Sequence, residues 1–373
     1  MQVRCNHCGK KTRFTIADWR CDCGGAWEPA EITDFNIEQI SKKDYSLWRY
    51  GALLGLDIAK PAKPMGVGWT PLIHTQIENR NLYLKLEYLS PTGSFKDRGV
   101  NTMIEQLHAM GVKSVTEDSS GNAGASVAAH AAHFGMEAEI FVPAYASEEK
   151  KNQIKVYGAK VIPIPGLRKA AETAAQNSVS QNKAYASHAY NPAYLAGQIT
   201  AAYELWEQLD HRAPDWIICP VAQGGQFLGY WFGFKRLLKT GLIEKLPRLV
   251  AVQSAMFAPI YVAWKEGLER IPEIQPGGET IAEGVAITKP IRDLRLLQAI
   301  RDTNGKVLIF SEEEIVAGQK IMNRQGFFIE PTSALAVCGF KQLVNQIKND
   351  EIVVLPLTGS GLKSVSKFFK NIH

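Results

Sequence analysis

Apolar and polar residues follow two different periods along this chain of 373 residues. Residues 82–87 alternate at every second position, which indicates a strand, whereas residues 100–110 carry an apolar stripe at helical spacing that ends at Gly111. From residue 113 onward, strand-like and helix-like segments alternate. This alternation predicts an α/β fold of parallel βαβ units in which helices cover both faces of a sheet.

The alternating stretch predicts strands at residues 113–117, 138–142 and 159–164, a short strand near Tyr185, and helices at residues 122–133, 147–157 and 168–181. Buried strands are also predicted at residues 217–221 and 351–354, and each leads through a glycine-containing turn into a helix, the first of which begins near Phe227. We find no internal repeat or low-complexity linker. The length suits two or three domains with buried cores.

The composition excludes several classes of protein. Hydrophobic residues make up 46% and charged residues 21%, as in soluble globular domains. The net charge of +5 is dispersed, so the basic stripe with aromatic residues that marks a nucleic-acid site is missing. No apolar run approaches the roughly 20 residues of a membrane span, and no apolar segment of a signal peptide follows the first residues. We expect a cytoplasmic protein without nucleic-acid or membrane partners.

Lys96 stands where a predicted strand and a turn at residues 90–93 lead into a helix. Open α/β sheets keep their ligands at such junctions. A desolvated lysine has a lowered pKa and becomes a nucleophile toward carbonyl groups. Alternatively, Lys96 is a surface lysine followed by a helix-capping aspartate.

Ser119, Ser120, Gly121 and Asn122 lie between a predicted strand and a predicted helix. The first amides of a helix have no partner within it, and together with the helix dipole they stabilise an anion such as an amino-acid carboxylate. The alternative is a serine N-cap with a tight glycine turn.

A second glycine-containing turn, residues 222–226, follows the buried strand at residues 217–221. It consists of Ala222, Gln223, Gly224, Gly225 and Gln226. Glycines let successive N–H groups form a concave site for phosphate, and the helix that follows adds positive potential. The turn matches neither the dinucleotide-binding nor the Walker pattern, so an ordinary turn is the alternative.

Four cysteines near the start of the chain form two closely spaced pairs, Cys5 with Cys8 and Cys21 with Cys23. Four thiolates on two short knuckles can close a tetrahedral zinc site of structural type. Disulfides or free thiols are the alternatives, and disulfides are rare in a reducing compartment. We predict structural zinc.

Residues 94–99, Ser-Phe-Lys-Asp-Arg-Gly, resemble the lysine motif of fold-type II pyridoxal-phosphate enzymes (the tryptophan synthase β-like group), most closely the threonine synthase family. Residues 66–72, 279–285, 330–334 and 355–363 resemble further motifs of that family, in the same order. The resemblance implies two α/β domains with parallel or mixed sheets flanked by helices and a small N-terminal zinc-ribbon-like knuckle. The implied bounds are 1–30 for the knuckle, 31–96 with 191–373 for the large cofactor-binding domain, and 97–190 for the small inserted domain. It also implies a homodimer.

The resemblance also implies roles for residues. Lys96 would hold pyridoxal 5'-phosphate, residues 222–226 its phosphate, and Thr358 would face its pyridine nitrogen. Ser119 to Asn122 would hold the carboxylate of a small amino-acid substrate, with Asn122 also facing the 3-oxygen of the cofactor. Glu283 approaches the ring or is a solvated loop residue, and Thr332 is expected to cap a helix.

The implied reaction of this lyase converts O-phospho-L-homoserine and water into L-threonine and phosphate. Tyr194 and Ala196 replace an arginine and a glutamate that the family usually carries, which changes the anion that the pocket can bind. Candidate replacements for the missing cation are Lys150, Lys151, Lys155 and Arg168. One alternative is β-elimination or β-replacement on a serine- or threonine-type substrate, as in ammonia-lyases or cysteate synthase. Another is a non-catalytic protein whose knuckle binds a partner.

Overall fold

The computed structural model describes residues 1–30, 35–146, 148–166 and 168–365. The chain divides into two compact units. Unit 1 consists of Met1–Trp69 and Ser90–Thr200, and unit 2 of Thr70–Leu89 and Ala201–His373. Residues 31–69, which the sequence prediction placed in the large domain, fall in unit 1.

Strands and helices alternate over most of the described residues. The strands are β1 (Gln2–Cys5), β2 (Lys11–Arg13), β3 (Trp27–Pro29), β4 (Leu72–Ile77), β5 (Arg80–Lys85), β6 (Ser114–Glu117), β7 (Glu137–Pro143), β8 (Lys160–Ile164), β9 (Lys183–Tyr185), β10 (Trp216–Pro220), β11 (Arg248–Ser254), β12 (Lys306–Phe310) and β13 (Val353–Pro356). The helices are α1 (Lys96–Ala109), α2 (Asn122–Phe134), α3 (Glu148–Val156), α4 (Arg168–Asn177), α5 (Pro192–Gln208), α6 (Gly225–Lys239), α7 (Pro259–Lys265), α8 (Asp293–Asp302), α9 (Glu312–Arg324) and α10 (Pro331–Leu343).

Unit 1 contains a four-stranded parallel sheet in the order β8-β7-β6-β9. Its core is formed by the apolar faces of α1 and α2 with β6 and β7, and includes Val100, Ile104 and Val115. A small antiparallel sheet, β2-β1-β3, precedes it in the chain. The parallel βαβ units predicted from the alternating pattern are therefore confirmed.

Unit 2 contains a six-stranded mixed sheet in the order β12-β11-β10-β13-β5-β4. All residues of β10 are buried, as expected for a central parallel strand with both faces covered. The antiparallel strand β4 joins β5 through Glu78 and Asn79, whose φ angles are +52° and +61°. Two successive left-handed residues give a turn whose twist matches that of the hairpin strands.

Several predicted element boundaries are wrong. Helix α1 begins at Lys96 rather than at residue 100, and α6 begins at Gly225 rather than near Phe227. Helix α4 ends at Asn177 rather than at residue 181. The first turn of α1 is buried but contains the polar residues Asp97 and Arg98, so a pattern of apolar residues does not reveal it. In place of the start of the predicted last helix, Gly361–Ser364 form a 3-10 turn.

Among the described residues, every helix is too short or too polar to cross a lipid bilayer.

Candidate active site

Lys96 is the first residue of α1, where the chain leaves the turn at residues 90–93. Gly93 has a φ of +78°, which a residue with a side chain rarely adopts, and this angle turns the chain into the helix. The ammonium group of Lys96 lies 4.8 Å from the centre of the Phe95 ring and 5.9 Å from that of Tyr194. Two aromatic rings therefore pack around the half-buried Lys96 side chain and limit the positions that its amine can take.

The neighbouring Asp97 fixes this loop. Its carboxylate accepts hydrogen bonds of 2.7 Å from both the backbone N–H and the hydroxyl of Thr92. A third bond, of 2.5 Å, comes from the hydroxyl of Ser126 on α2. Asp97 is fully buried, so these bonds compensate its desolvation and hold the start of α1 against α2.

Tyr194 lies beneath the first turn of α1. Its side chain is 1% exposed, and a β-carbon built on Gly99 would lie 2.4 Å from its ring. Ala196 is also buried. The residues that replace the expected arginine and glutamate are thus core residues of unit 1.

Residues 119–122 form the start of α2, as predicted. Gly121 occupies the N-cap position without a side-chain cap, and the Ser119 hydroxyl accepts a 3.3 Å hydrogen bond from its N–H. A β-carbon on Gly124 would lie 1.9 Å from the carbonyl oxygen of Ser119, so glycine is required for the helix to approach the loop this closely. The amides of the first helical turn thus lack a side-chain cap and suit an anion.

The sequence analysis missed a cluster of ionisable residues directly before this loop. Glu117 Oε1 lies 2.7 Å from His188 Nδ1, and Asp118 accepts a 2.6 Å hydrogen bond from the Tyr185 hydroxyl. Arg168 lies 4.0 Å from the other oxygen of Asp118. Two consecutive acidic residues at the end of a buried strand are the signal that was available in the sequence.

In unit 2, residues 222–226 connect β10 to α6. Gly224 has a φ of +83° and is the N-cap of α6, again without a side-chain cap. A β-carbon there would also lie 2.4 Å from Leu296. Gln223 accepts a 2.9 Å hydrogen bond from the backbone of Ile291, which fixes the loop. Its glycines and uncapped helix start are the features predicted for a phosphate site.

Thr358, also in unit 2, is buried at the end of β13 and belongs to a polar network. Its hydroxyl donates a 2.8 Å hydrogen bond to the Glu330 carboxylate and lies 2.9 Å from the Ser333 hydroxyl. Because its hydrogen is directed to Glu330, Ser333 must be the donor in the second bond. The Thr358 oxygen then retains one lone pair, with which it can accept a hydrogen bond from a further donor.

The two remaining candidates of unit 2 lie together. The Thr332 hydroxyl accepts a 3.1 Å hydrogen bond from the backbone of Gly284, so it holds the neighbouring turn rather than capping its own helix. Glu283 is exposed to solvent.

The four N-terminal cysteines come together in unit 1. The sulfur atoms of Cys5, Cys8, Cys21 and Cys23 all lie within 4.8 Å of one another. A β-carbon on Gly25 would lie 2.6 Å from the Cys5 sulfur, so glycine is needed to close the second knuckle. Four thiols at this spacing fit a tetrahedral zinc ion.

Residues 64–359 match the family described as "Pyridoxal-phosphate dependent enzyme". The threonine synthase of Methanocaldococcus jannaschii is 34% identical over 97% of this chain and 93% of its own length, and that of Methanosarcina acetivorans is 32% identical over 97% and 92%. The chain belongs to the threonine synthase family. It is thus a pyridoxal-phosphate-dependent enzyme of the lyase type, as predicted from the sequence.

Solved structures agree with this family assignment. The T.th. threonine deaminase is 25% identical, with a TM-score of 0.66 over 78% of this chain and 92% of its own. Serine racemase from Dictyostelium discoideum is 27% identical, with a TM-score of 0.65 over 78% and 92%. The α/β fold with its mixed and parallel sheets is shared with these two proteins.

The residues present fit pyridoxal phosphate. Lys96 offers a primary amine at the start of α1, which can form an imine with the aldehyde group of the cofactor. The N-terminus of α6 has no side-chain cap, and its N-cap residue, Gly224, has a φ of +83°, which suits a phosphate-binding turn.

Proposed function

We propose that this protein is a threonine synthase, which converts O-phospho-L-homoserine and water into L-threonine and phosphate. The observation that carries this proposal is the match to curated threonine synthases over 97% of the chain, with Lys96 at the start of α1. Pyridoxal phosphate, when bound, supplies an electron sink for carbanions next to the substrate amine.

The residues of this chain have distinct roles in the proposal. Lys96 holds the cofactor and, once released, moves protons at the α- and β-carbons of the substrate. The amides of residues 119–122 bind the substrate carboxylate, with Asn122 toward the cofactor. Residues 222–226 bind the cofactor phosphate, and Thr358 meets the pyridine nitrogen.

The Thr358 network supports a refinement of its role. Its hydrogen is directed to Glu330, so its oxygen is available as an acceptor. A hydrogen-bond acceptor would match a protonated ring nitrogen, whereas an alcohol that donates its own hydrogen would favour the unprotonated form. By accepting the Thr358 hydrogen, Glu330 would thus favour the protonated ring, which is the stronger electron sink.

A second candidate function is β-elimination or β-replacement on a serine- or threonine-type substrate. It is favoured by the burial of Tyr194, which leaves that position without a cation for a substrate phosphate. The candidate replacement cations already have acidic partners: Arg168 lies near Asp118, and Lys151 and Lys155 both contact Glu148. Lys150 lies outside the described side chains.

One experiment separates the two functions. The purified protein is incubated separately with O-phospho-L-homoserine, O-phospho-L-serine and L-threonine, while threonine, phosphate and ammonia are measured. The first function predicts threonine and phosphate in equal amounts from phosphohomoserine. Phosphate from phosphoserine, or ammonia from threonine, without threonine synthesis would instead establish β-chemistry. Lys96→Ala should abolish either activity, and Lys113→Ala, outside the site, should preserve it.

The finer family features remain proposals. We propose one structural zinc ion per chain at the four cysteines, supported by their spacing. The homodimer, the cytoplasmic location and the domain bounds implied by the family also remain predictions, and the assembly is measured directly by light scattering of the purified protein.

A further inference from the structure

The cluster that the sequence analysis missed contains a buried acid–imidazole pair. Glu117 is the last residue of β6, and His188 follows β9, which pairs with β6 in parallel. Both strands leave the sheet at the same edge, so the two side chains meet, with Glu117 Oε1 at 2.7 Å from His188 Nδ1. Glu117 is fully buried and His188 is 7% exposed.

The second carboxyl oxygen of Glu117 is the unusual feature. Oε2 is buried and has no hydrogen-bond partner among the residues that the structure describes. A buried carboxylate oxygen without a partner is destabilising, most of all when the carboxylate is charged. A proton on Oε2 lowers that cost, because it neutralises the group.

Charged and titratable groups face this pair from each neighbouring element. They are Lys96 of α1, Asp118 after β6, Arg168 of α4, Tyr185 of β9 and Tyr194 of α5, and Tyr194 in turn faces Asp97. Burial, aided by Asp118, raises the pKa of Glu117 well above its usual value, although Arg168 and Lys96 oppose the shift. Burial, with Lys96 and Arg168, lowers the pKa of His188 well below its usual value.

Lys96 and His188 flank the same aromatic ring. The Lys96 ammonium lies 5.9 Å from the centre of the Tyr194 ring, and the His188 ring meets it edge-on at 6.1 Å. The Tyr194 ring is itself held against Gly99. The amine that binds the cofactor and the buried acid–imidazole pair therefore belong to one packed group of side chains.

We propose that the Glu117–His188 pair holds the proton that Lys96 gives up when its amine becomes neutral. An N–H bond of the Lys96 ammonium breaks, and an O–H bond forms at Glu117 Oε2. His188 donates from Nδ1 to Oε1 and so orients the carboxyl group. Glu117 is the proton acceptor, and His188 is a positioning residue that acts through Glu117. This proposal rests on the proposed function only in requiring Lys96 to work as a neutral amine.

The first test uses the full-length wild-type apoprotein and follows its capture of pyridoxal phosphate from pH about 6 to about 8. A free lysine amine is almost wholly protonated in this range, so its reaction rate rises about tenfold per pH unit. An internal acceptor makes the neutral fraction of Lys96 independent of pH. The wild-type rate should therefore stay constant with pH. Its ratio to the rate of Nα-acetyllysine, the reference amine, should fall about tenfold for each unit rise in pH. A constant ratio would overturn the proposal.

The second test compares Glu117→Gln with the wild type under the same conditions. Glutamine keeps the shape but cannot take the proton, so the capture rate should regain the rise of about tenfold per pH unit shown by the reference amine. The control is Glu139→Gln, a partly exposed carboxylate on β7 that pairs with Lys183, and it should keep the wild-type profile. A Glu117→Gln profile identical to the wild type would refute the role of Glu117.

Neither test uses a substrate, so the results of the two capture tests do not depend on the result of the activity assay for the proposed function. A flat wild-type capture profile without threonine synthesis would support the proton-holding pair and reject threonine synthase activity. Failure of Lys96 to capture the cofactor at any pH would reject both. If Glu117→Gln does not fold, as judged by circular dichroism, a constant ratio between the wild type and the reference amine still overturns the proposal.

Discussion

The ring of Tyr194 fills the space next to the α-carbon of Gly99. A β-carbon on Gly99 would lie 2.4 Å from ring atom Cδ2, closer than van der Waals contact allows. Because Gly99 has no side chain, the first turn of α1, which carries Lys96, packs directly against the aromatic ring of Tyr194.

We predict that Gly99→Ala lowers the free energy of unfolding by about 1 to 3 kcal/mol, since an added methyl group overpacks this contact. In a Tyr194→Leu background, Gly99→Ala should lower the free energy of unfolding by less, because the ring atoms that the added methyl group would contact are gone. Urea unfolding of the two single variants and the double variant measures this coupling. Equal costs of Gly99→Ala in the two backgrounds would contradict the packing relationship.

This contact illustrates what the sequence could and could not predict. The position of Lys96 between a strand and a helix, and the glycine turn before α6, followed from local patterns. The burial of Tyr194 under α1 did not follow from a local pattern, because the sequence showed only that this residue replaced an arginine. Its burial depends on Gly99, a residue 95 positions earlier, and no local pattern connects the two.

The Glu117–His188 pair was missed for a similar reason. Two acidic residues at the end of a strand usually lie in a solvated turn, and His188 follows a different strand, 71 positions later. Only the parallel pairing of β6 and β9 brings them together. The four cysteines could be predicted as a group because both pairs lie within one short segment.

The second prediction concerns the buried ion pair of Lys85 and Glu204 in unit 2. Both side chains are fully buried, with their charged atoms 2.5 Å apart, and Lys85 also donates to the carbonyl of Thr70. Lys85→Met removes a buried ammonium that faces the Glu204 carboxylate and the Thr70 carbonyl, so we expect a loss of about 3 to 5 kcal/mol in the free energy of unfolding.

The matched control is Lys245→Met, which removes the exposed partner of Asp215 in the same unit. Exposed ion pairs contribute less than about 1 kcal/mol. Urea unfolding should separate the two variants by several kcal/mol. Similar stabilities would show that the buried pair can be replaced by an apolar side chain at little cost.

The third prediction concerns the four cysteines. A zinc ion at these thiols would link the end of β1 to the loop before β3, so metal should stabilise this region. We expect one zinc per chain by atomic emission, and a lower melting temperature after chelation. Cys8→Ser should abolish metal binding, whereas Cys338→Ser, a thiol outside the cluster, should preserve it. Full metal content in Cys8→Ser would rule out the four-thiolate site.

The fourth prediction is a pH dependence of stability that arises from His130. This residue is fully buried on α2, where its Nδ1 lies 2.8 Å from the carbonyl oxygen of Ser126. Burial lowers the pKa of His130, although Asp97 opposes the shift. The unfolded chain therefore binds a proton below pH about 6.5 that the folded protein does not, and stability falls as the pH falls through this range.

This contribution should reach at most about 1.4 kcal/mol per pH unit, the value for one proton. The variant His130→Gln cannot titrate, so between pH about 7 and about 5 its free energy of unfolding should fall less steeply than that of the wild type. His74→Gln, which removes an exposed histidine of β4, should keep the wild-type slope. Urea unfolding at a series of pH values measures all three slopes. Parallel curves for His130→Gln and the wild type would show that His130 is protonated equally in the folded and unfolded states.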